Sequence, residues 1–174
     1  MFYKKGEKFD LIGFTDRDYP GDQDDRKSTS CYVFVLCTGV VSWSSRKQKI
    51  VTLLTTEAEF VVATTCTCQD VLLRRILEEL QFKQERATTI FCDNNSAIKL
   101  SKNLVLHGRS KHINVKYYFL RDINNEGTIK LQYCRSEDQL ADIFTKSLRF
   151  LLFQKLRKLM GVSTMDEFKK VHLN

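Results

Sequence analysis

The sequence has few of the residues that interrupt regular structure. It contains one proline and seven glycines in 174 residues, and no apolar run reaches the ~18 residues that a membrane span requires. No Pro-, Gly- or Ser-rich stretch divides the chain, and no internal repeat is visible. We therefore expect a single domain without a membrane segment, built around one hydrophobic core.

The sequence also lacks the patterns of a disulfide or zinc framework. It has six cysteines but no secretory signal sequence, and no His/Cys pair at zinc-finger spacing accompanies Cys66 and Cys68. Most of the cysteines lie within apolar or small-residue runs. We expect buried free thiols in a reducing, intracellular compartment, either the cytoplasm or the nucleus.

The chain has an excess of positive charge. Its 28 Lys and Arg residues against 21 Asp and Glu residues give a formal net charge of +7. Such an excess favours polyanionic partners through counterion release, although charge that only maintains solubility would give the same balance. Net charge therefore permits a nucleic-acid partner without selecting one.

The spacing of apolar residues changes several times along the chain. Short apolar or alternating runs predict strands at residues 10–15, 31–37, 40–46, 88–92 and 128–134. Apolar residues at three- and four-residue spacing predict a helix from about Thr55 to Leu80, then helices at 96–102, at 113–123 and after Asp138, and an amphipathic segment at 148–160. Short loops join the first three strands, whereas helices separate the last two. The predicted fold is α/β, a mixed five-stranded sheet with three antiparallel strands, two strands added in parallel, and helices on both faces.

Four carboxylates lie at the ends of these predicted elements. Asp16 ends the first strand, Glu59 lies in the first turn of the long helix, Asp93 ends the fourth strand, and Asp142 lies in the helix after the last strand. Carboxylates at neighbouring strand ends can converge at one edge of a sheet, where crowded negative charges require cations such as Mg²⁺. Taken singly, each residue is better explained as a helix cap, a turn residue or a solvated charge, so spacing alone does not define a site.

The residues around these carboxylates carry a family resemblance. Five segments follow one another between Thr15 and Lys146, namely FTDRDYPGDQDDRKSTSCYVF, VSWSSRKQKIVTLLTTEAEF, TTIFCDNNSAIKLSKN, GRSKHI and IKLQYCRSEDQLADIFTK. Together they resemble the ribonuclease H domain of copia-type LTR retrotransposon Pol polyproteins. The resemblance implies a ribonuclease H-like domain over residues 1–162 and leaves 163–174 as a C-terminal tail.

The resemblance also implies the catalytic and metal-binding residues. Asp16 matches the TD strand end, Glu59 the AE helix start, Asp93 the CDN strand end and Asp142 the LAD helix. The implied activity is hydrolysis of the RNA strand of RNA/DNA hybrids with two Mg²⁺ ions, or Mn²⁺ in their place. Glu57 is not selected, because the family's ligand follows the alanine.

A nucleic-acid substrate requires cations along its backbone and hydrogen-bonding groups near the RNA 2′-hydroxyls. Arg46, Lys47 and Lys49 after the third strand, and Asn94 beside Asp93, are the highest-ranked candidate contacts. Trp43 belongs to an alternating strand, and we interpret it as a core residue in preference to a stacking platform.

Some positions depart from the family pattern, and two functional classes stay open. Arg17 and Pro20 replace small residues beside the first aspartate, where Arg17 could alter substrate entry or metal affinity. The chain is expected to be either an excised piece of a polyprotein or a stand-alone gene product. It is then either an active metal-dependent nuclease, or a domesticated domain that binds a host protein and acts as a non-catalytic regulatory module. Nucleic-acid binding without cleavage is a weakened form of the first class.

Overall fold

The computed structural model describes residues 9–18, 28–48, 55–102 and 111–164. The strands are β1 (Leu11–Asp18), β2 (Thr29–Leu36), β3 (Gly39–Lys47), β4 (Thr88–Cys92) and β5 (Ile129–Tyr133). The α-helices are α1 (Thr55–Glu79), α2 (Asn95–Lys102), α3 (Lys111–Asn125) and α4 (Phe150–Leu159). The helix predicted after Asp138 is a 3₁₀ helix, Leu140–Phe144, preceded by a shorter one at Ser136–Asp138.

The strands form one sheet in the order β3-β2-β1-β4-β5. The β1-β2 and β2-β3 pairs are antiparallel, and the β1-β4 and β4-β5 pairs are parallel. A two-residue connection at Cys37 and Thr38 joins β2 to β3, with Cys37 at a φ of 56°. The predicted mixed five-stranded sheet is therefore confirmed, because short connections give antiparallel neighbours and helical crossovers give parallel ones.

Helices cover both faces of the sheet, as predicted. Helices α1, α2 and α3 pack on one face, where Phe34 and Ile90 of the sheet contact Phe60, Tyr117 and Leu120. The 3₁₀ helix 140–144 and α4 pack on the other face against β2, in a second cluster that includes Cys31, Val33, Leu140, Ala141 and Leu156. The sheet thus has two separate apolar layers, one on each face.

The apolar residues of the long helix form one buried and one exposed stripe. Leu73 packs against the core and Leu77 is buried in it, but Leu72, Ile76 and Leu80 are exposed. Both sets have four-residue spacing, so each forms a stripe along the helix, and only one stripe faces the sheet. The spacing therefore predicted the helix correctly, but it did not distinguish the buried stripe from the exposed one.

The cysteines are all free thiols. Cys31, Cys66 and Cys92 are buried as expected, Cys37 and Cys134 are half-buried, and Cys68 is exposed. None of the described helices is long and apolar enough to cross a membrane.

Candidate metal site

The four predicted carboxylates lie at the edge of the sheet where β1 and β4 end. Asp16 is on β1, and Asp93 directly follows β4, the parallel neighbour of β1. Asp142 comes from the 3₁₀ helix on one face of the sheet, and Glu59 from the N-terminal part of α1 on the other. The topology therefore brings side chains from distant parts of the sequence to one place.

Their carboxylate oxygens form two overlapping groups. One oxygen each from Asp16, Asp93 and Asp142 lie within 4.8 Å of one another. Glu59 and Asp93 form a second group, at the same spacing, with the thiol of Cys92. Burial raises the pKa of the Cys92 thiol well above its ordinary value, so this thiol stays protonated at neutral pH and is a poor metal ligand. Asp93 alone belongs to both groups.

Burial and electrostatic repulsion raise the pKa values of three of the carboxylates, Glu59, Asp93 and Asp142. Burial, followed by the negative charge of Asp16, raises the pKa of Glu59 to about 8 and that of Asp142 to about 7. The same two causes raise the pKa of Asp93. In the absence of a bound cation, the cluster therefore retains protons near neutral pH.

Two basic side chains of the protein partly neutralise the cluster. Lys146 Nζ lies 3.0 Å from Asp142 Oδ2 and 3.7 Å from Asp16 Oδ2. Arg17 Nε lies 3.2 Å from Glu59 Oε1. The cluster thus has one basic side chain beside Glu59 and another beside Asp142 and Asp16. Lys146 was missed by the sequence reasoning, although its position four residues after Asp142 is the spacing at which helical ion pairs form.

Hydroxyl groups orient two of the aspartates. Thr145 Oγ1 donates a hydrogen bond to Asp16 Oδ2 at 2.5 Å, and Ser136 Oγ donates one to Asp93 Oδ2 at 3.2 Å. These contacts were also missed, because each joins segments that are far apart in the sequence.

Gln139 fixes the 3₁₀ helix to the end of β1. Its side chain is fully buried, and Nε2 donates a hydrogen bond to the Thr15 carbonyl at 2.9 Å. Its Oε1 accepts a hydrogen bond from the Ala141 amide at 3.3 Å. Because Asp16 follows Thr15 and Asp142 follows Ala141, this one amide sets the distance between the two aspartates.

The donor set fits a hard divalent cation. Within the cluster, Glu59 Oε2 and Asp142 Oδ1 are buried without a hydrogen-bond partner among the described residues, as are both carboxylate oxygens of Asp70 elsewhere on α1. Buried oxygens of this kind are normally satisfied, and clustered carboxylates are the ligands that Mg²⁺ and Mn²⁺ prefer.

The candidate nucleic-acid contacts are only partly described. Arg46 and Lys47 are exposed at the end of β3, and Lys49 lies outside the described residues. Asn94 is half-buried, and its Oδ1 accepts hydrogen bonds from the Ser96 and Ala97 amides at 2.9 and 3.0 Å, which caps α2. Its Oδ1 therefore has a structural role beside Asp93.

The interpretation of Trp43 as a core residue was wrong. Its side chain is 54% exposed, and its ring stacks on Phe144 with centroids 6.3 Å apart. Trp43 lies on β3, the edge strand, opposite the fully buried Val33 of β2. Phe144 of the 3₁₀ helix stacks on the ring but leaves more than half of its surface accessible to solvent.

Comparison with known proteins relates the chain to one family. No family model matches it. It is 39% identical over 152 residues to the retrovirus-related Pol polyprotein from transposon TNT 1-94 of Nicotiana tabacum. The alignment covers 87% of this chain and 11% of that polyprotein, so the chain spans about a tenth of the length of the curated relatives it matches.

Two solved structures share the fold at low sequence identity. The N-terminal RNase H domain of a Mycobacterium tuberculosis protein has a TM-score of 0.54 at 11% identity, over 86% of this chain and 97% of that one. LC11-RNase H1, solved in complex with an RNA/DNA hybrid, has a TM-score of 0.50 at 17% identity, over 77% of this chain and 92% of that one.

The fold therefore defines the chain as a ribonuclease H-like domain. Its homologues are retrovirus-related Pol polyproteins of plant transposons, which confirms the copia-type retrotransposon resemblance that the motifs indicated.

Proposed function

We propose that this chain is a divalent-metal-dependent nuclease that hydrolyses the RNA strand of RNA/DNA hybrids. The observation that carries the proposal is the convergence of Asp16, Asp93 and Asp142 within 4.8 Å, with Glu59 beside Asp93, at one edge of a ribonuclease H-like sheet. The choice of substrate is supported by the structural relative LC11-RNase H1, which was solved with an RNA/DNA hybrid.

The chemistry follows from the donor set. Mg²⁺ or Mn²⁺, when bound, would supply a water molecule of lowered pKa and stabilise the charge that develops on the phosphodiester. Asp16, Asp93 and Asp142 would hold one ion, and Glu59 with Asp93 would hold a second. Hydrolysis adds the water oxygen to phosphorus and breaks one bond from phosphorus to a ribose oxygen.

The remaining contacts position these ligands. Gln139 holds Asp142 against the end of β1, and the hydroxyls of Thr145 and Ser136 each occupy one oxygen of an aspartate. These hydroxyl contacts fix the orientation of the two carboxylates within the cluster. A rigid arrangement of this kind reduces the reorganisation needed when charge develops in the transition state.

The proposal is tested by cleavage of an end-labelled RNA strand. The RNA strand is supplied in three forms with Mg²⁺ or Mn²⁺, namely paired with DNA, paired with RNA and single-stranded, and an end-labelled DNA duplex of the same sequence is tested beside them. We expect cleavage of the RNA strand in the hybrid and none when EDTA replaces the metal. If folded protein binds the hybrid and leaves it intact with both metals, the nuclease proposal fails and a non-catalytic binding module is favoured.

Trp43 is expected to contribute to hybrid affinity. Trp43 of β3 pairs with Val33 of β2, which pairs with Phe14 of β1. Two residues away on each strand, Ser45 pairs with Cys31, and Cys31 pairs with Asp16. The ring of Trp43 therefore projects from the same face as Asp16. A stacking contact of an exposed aromatic ring with nucleic acid contributes about 1 kcal/mol or more, so Trp43→Ala is expected to weaken binding about fivefold or more.

Fluorescence anisotropy with a labelled hybrid measures this affinity, in an Asp93→Asn background to prevent cleavage. The matched control is Phe82→Ala, which removes another exposed aromatic ring, stacked on Phe9 at 4.7 Å beyond the opposite end of β1. Equal effects of the two substitutions would show that Trp43 has no specific contact with the hybrid.

A further inference from the structure

Arg17 holds the glutamate of the metal site on the face opposite Asp142. It follows Asp16 on β1, so its side chain projects from the other face of the sheet, towards α1. Its Nε lies 3.2 Å from Glu59 Oε1, and the two side chains are only 9% and 6% exposed. The ion pair is therefore part of the interior of the protein.

This ion pair competes with the metal group that contains the same glutamate. Glu59 also lies within ligand distance of Asp93 in the second carboxylate group, and its other oxygen, Oε2, is buried without a hydrogen-bond partner among the described residues. Arg17 places a positive charge directly beside this carboxylate. A divalent ion must either share the carboxylate with Arg17 or displace it.

We propose that Arg17 is a positioning residue that competes with a divalent cation for Glu59. In this chain, Asp16, Asp93 and Asp142 bind a first ion, because Lys146 beside them is 36% exposed and can move into solvent. The position beside Glu59 fills only at higher metal concentration, because Arg17 is buried against this glutamate and is harder to displace. The inference rests on the proposed function only for the role of the metal. Arg17 thereby determines whether the site holds one ion or two at a given metal concentration.

Metal titration of the full chain without nucleic acid tests the inference. Free Mn²⁺ is followed by electron paramagnetic resonance for the unmodified chain, Arg17→Gln, Arg17→Lys and the double variant Arg17→Gln with Glu59→Gln. We expect Arg17→Gln to tighten the weaker Mn²⁺ site about tenfold or more, which corresponds to about 1.4 kcal/mol. Arg17→Lys should give a smaller gain, and Glu59→Gln should abolish the gain.

Arg121→Gln is the control for net charge, because Arg121 pairs with Asp122 at 3.2 Å on α3. An equal gain in this variant, or a gain that survives Glu59→Gln, would assign the effect to net charge and overturn the inference. Unchanged or weaker Mn²⁺ binding by folded Arg17→Gln would overturn it too, since Arg17 would then only neutralise a buried glutamate.

Loss of folding and loss of nuclease activity are each distinguished from a change in Mn²⁺ affinity. If Arg17→Gln does not fold, as judged by circular dichroism, then Arg17→Lys decides, and Mn²⁺ affinity equal to that of the unmodified chain overturns the inference. The Mn²⁺ titration contains no nucleic acid, so its result does not depend on whether the chain cleaves a hybrid. Absence of hybrid cleavage in the separate assay would overturn the proposed function but not the competition between Arg17 and the metal.

Discussion

Replacing Asp93 with asparagine is expected to lower the rate of hybrid cleavage by about 10³-fold or more, a loss of about 4 kcal/mol of transition-state stabilisation. Asp93 is the choice because it alone belongs to both carboxylate groups, so its loss weakens both candidate metal positions. Asparagine has nearly the same shape and keeps an oxygen to accept the hydrogen bond from Ser136. The cleavage rate at saturating hybrid and Mg²⁺ measures the effect.

The stability of the same variant should change in the opposite direction. In EDTA, Asp93→Asn removes a partly buried negative charge that repels Asp16, so we expect a higher melting temperature than that of the unmodified chain. Loss of cleavage together with a gain in stability would separate a functional role for Asp93 from a structural one, because functional sites commonly retain unfavourable arrangements.

Asp138→Asn is the matched control for this substitution. Asp138 is exposed and pairs with Lys155 at 2.7 Å, and it belongs to neither carboxylate group. Its cleavage rate is expected to stay within about twofold of the unmodified chain, as for most surface substitutions. A rate for Asp93→Asn within tenfold of the unmodified chain would contradict the proposed role of Asp93.

The sheet could be predicted because its signals are local. The continuous apolar run of β2 is typical of a strand that is buried on both faces, and Phe34 and Val33 lie in the two separate cores. The connection lengths then determined which neighbours are antiparallel and which are parallel. The sequence did not predict which residues of α1 are buried, because the spacing of Leu72 and Ile76 is the same as that of Leu73 and Leu77.

The alternation of apolar and polar residues in β3 did not predict whether the side chain of Trp43 is buried. Alternating apolar residues show which face of a strand a side chain occupies, but they do not show whether another element covers that face. Trp43 lies on the edge strand, and among the described residues Phe144 is the aromatic ring that stacks on it. The exposed ring therefore became apparent only from the position of the 3₁₀ helix.

The carboxylates were found through motif context, and their partners were not found. Spacing alone did not distinguish Asp16 or Asp142 from solvated charges, whereas the flanking residues matched one family. The hydrogen bond from Thr145 to Asp16 spans 129 residues, and that from Ser136 to Asp93 spans 43. Arg17 stood out as a departure from the family pattern, but its pairing with Glu59 depends on how α1 packs against β1.

Without divalent ions, the folded chain is expected to lose stability as the pH rises from about 5 to 8. The pKa of Glu59 is raised from 4.5 to about 8 in the folded chain, and that of Asp142 from 3.8 to about 7. In this window the unfolded chain has already released these protons, whereas the folded chain still holds them. The stabilisation is therefore complete below the unfolded pKa values and is lost as the pH passes the folded ones.

The free energy of unfolding is expected to fall by several kcal/mol, since a difference of one unit between the folded and unfolded pKa values corresponds to about 1.4 kcal/mol. The ammonium of Lys146 beside Asp142 limits the loss on that side of the cluster. For a chain of this size, the melting temperature in EDTA should fall by about 10 °C across the window.

Added Mg²⁺ should oppose this loss, and most strongly at pH 8, because the ion binds the ionised carboxylates of the folded chain. Melting curves by circular dichroism at several pH values, in EDTA and in Mg²⁺, measure the difference between the two conditions. Asp70 is also buried and has a pKa raised to about 6, but it is not in either carboxylate group, so its contribution is common to both conditions and cancels. A Mg²⁺ effect that is the same at pH 5 and pH 8 would contradict the expectation, because competition between protons and the metal for Glu59 and Asp142 requires the effect to grow with pH.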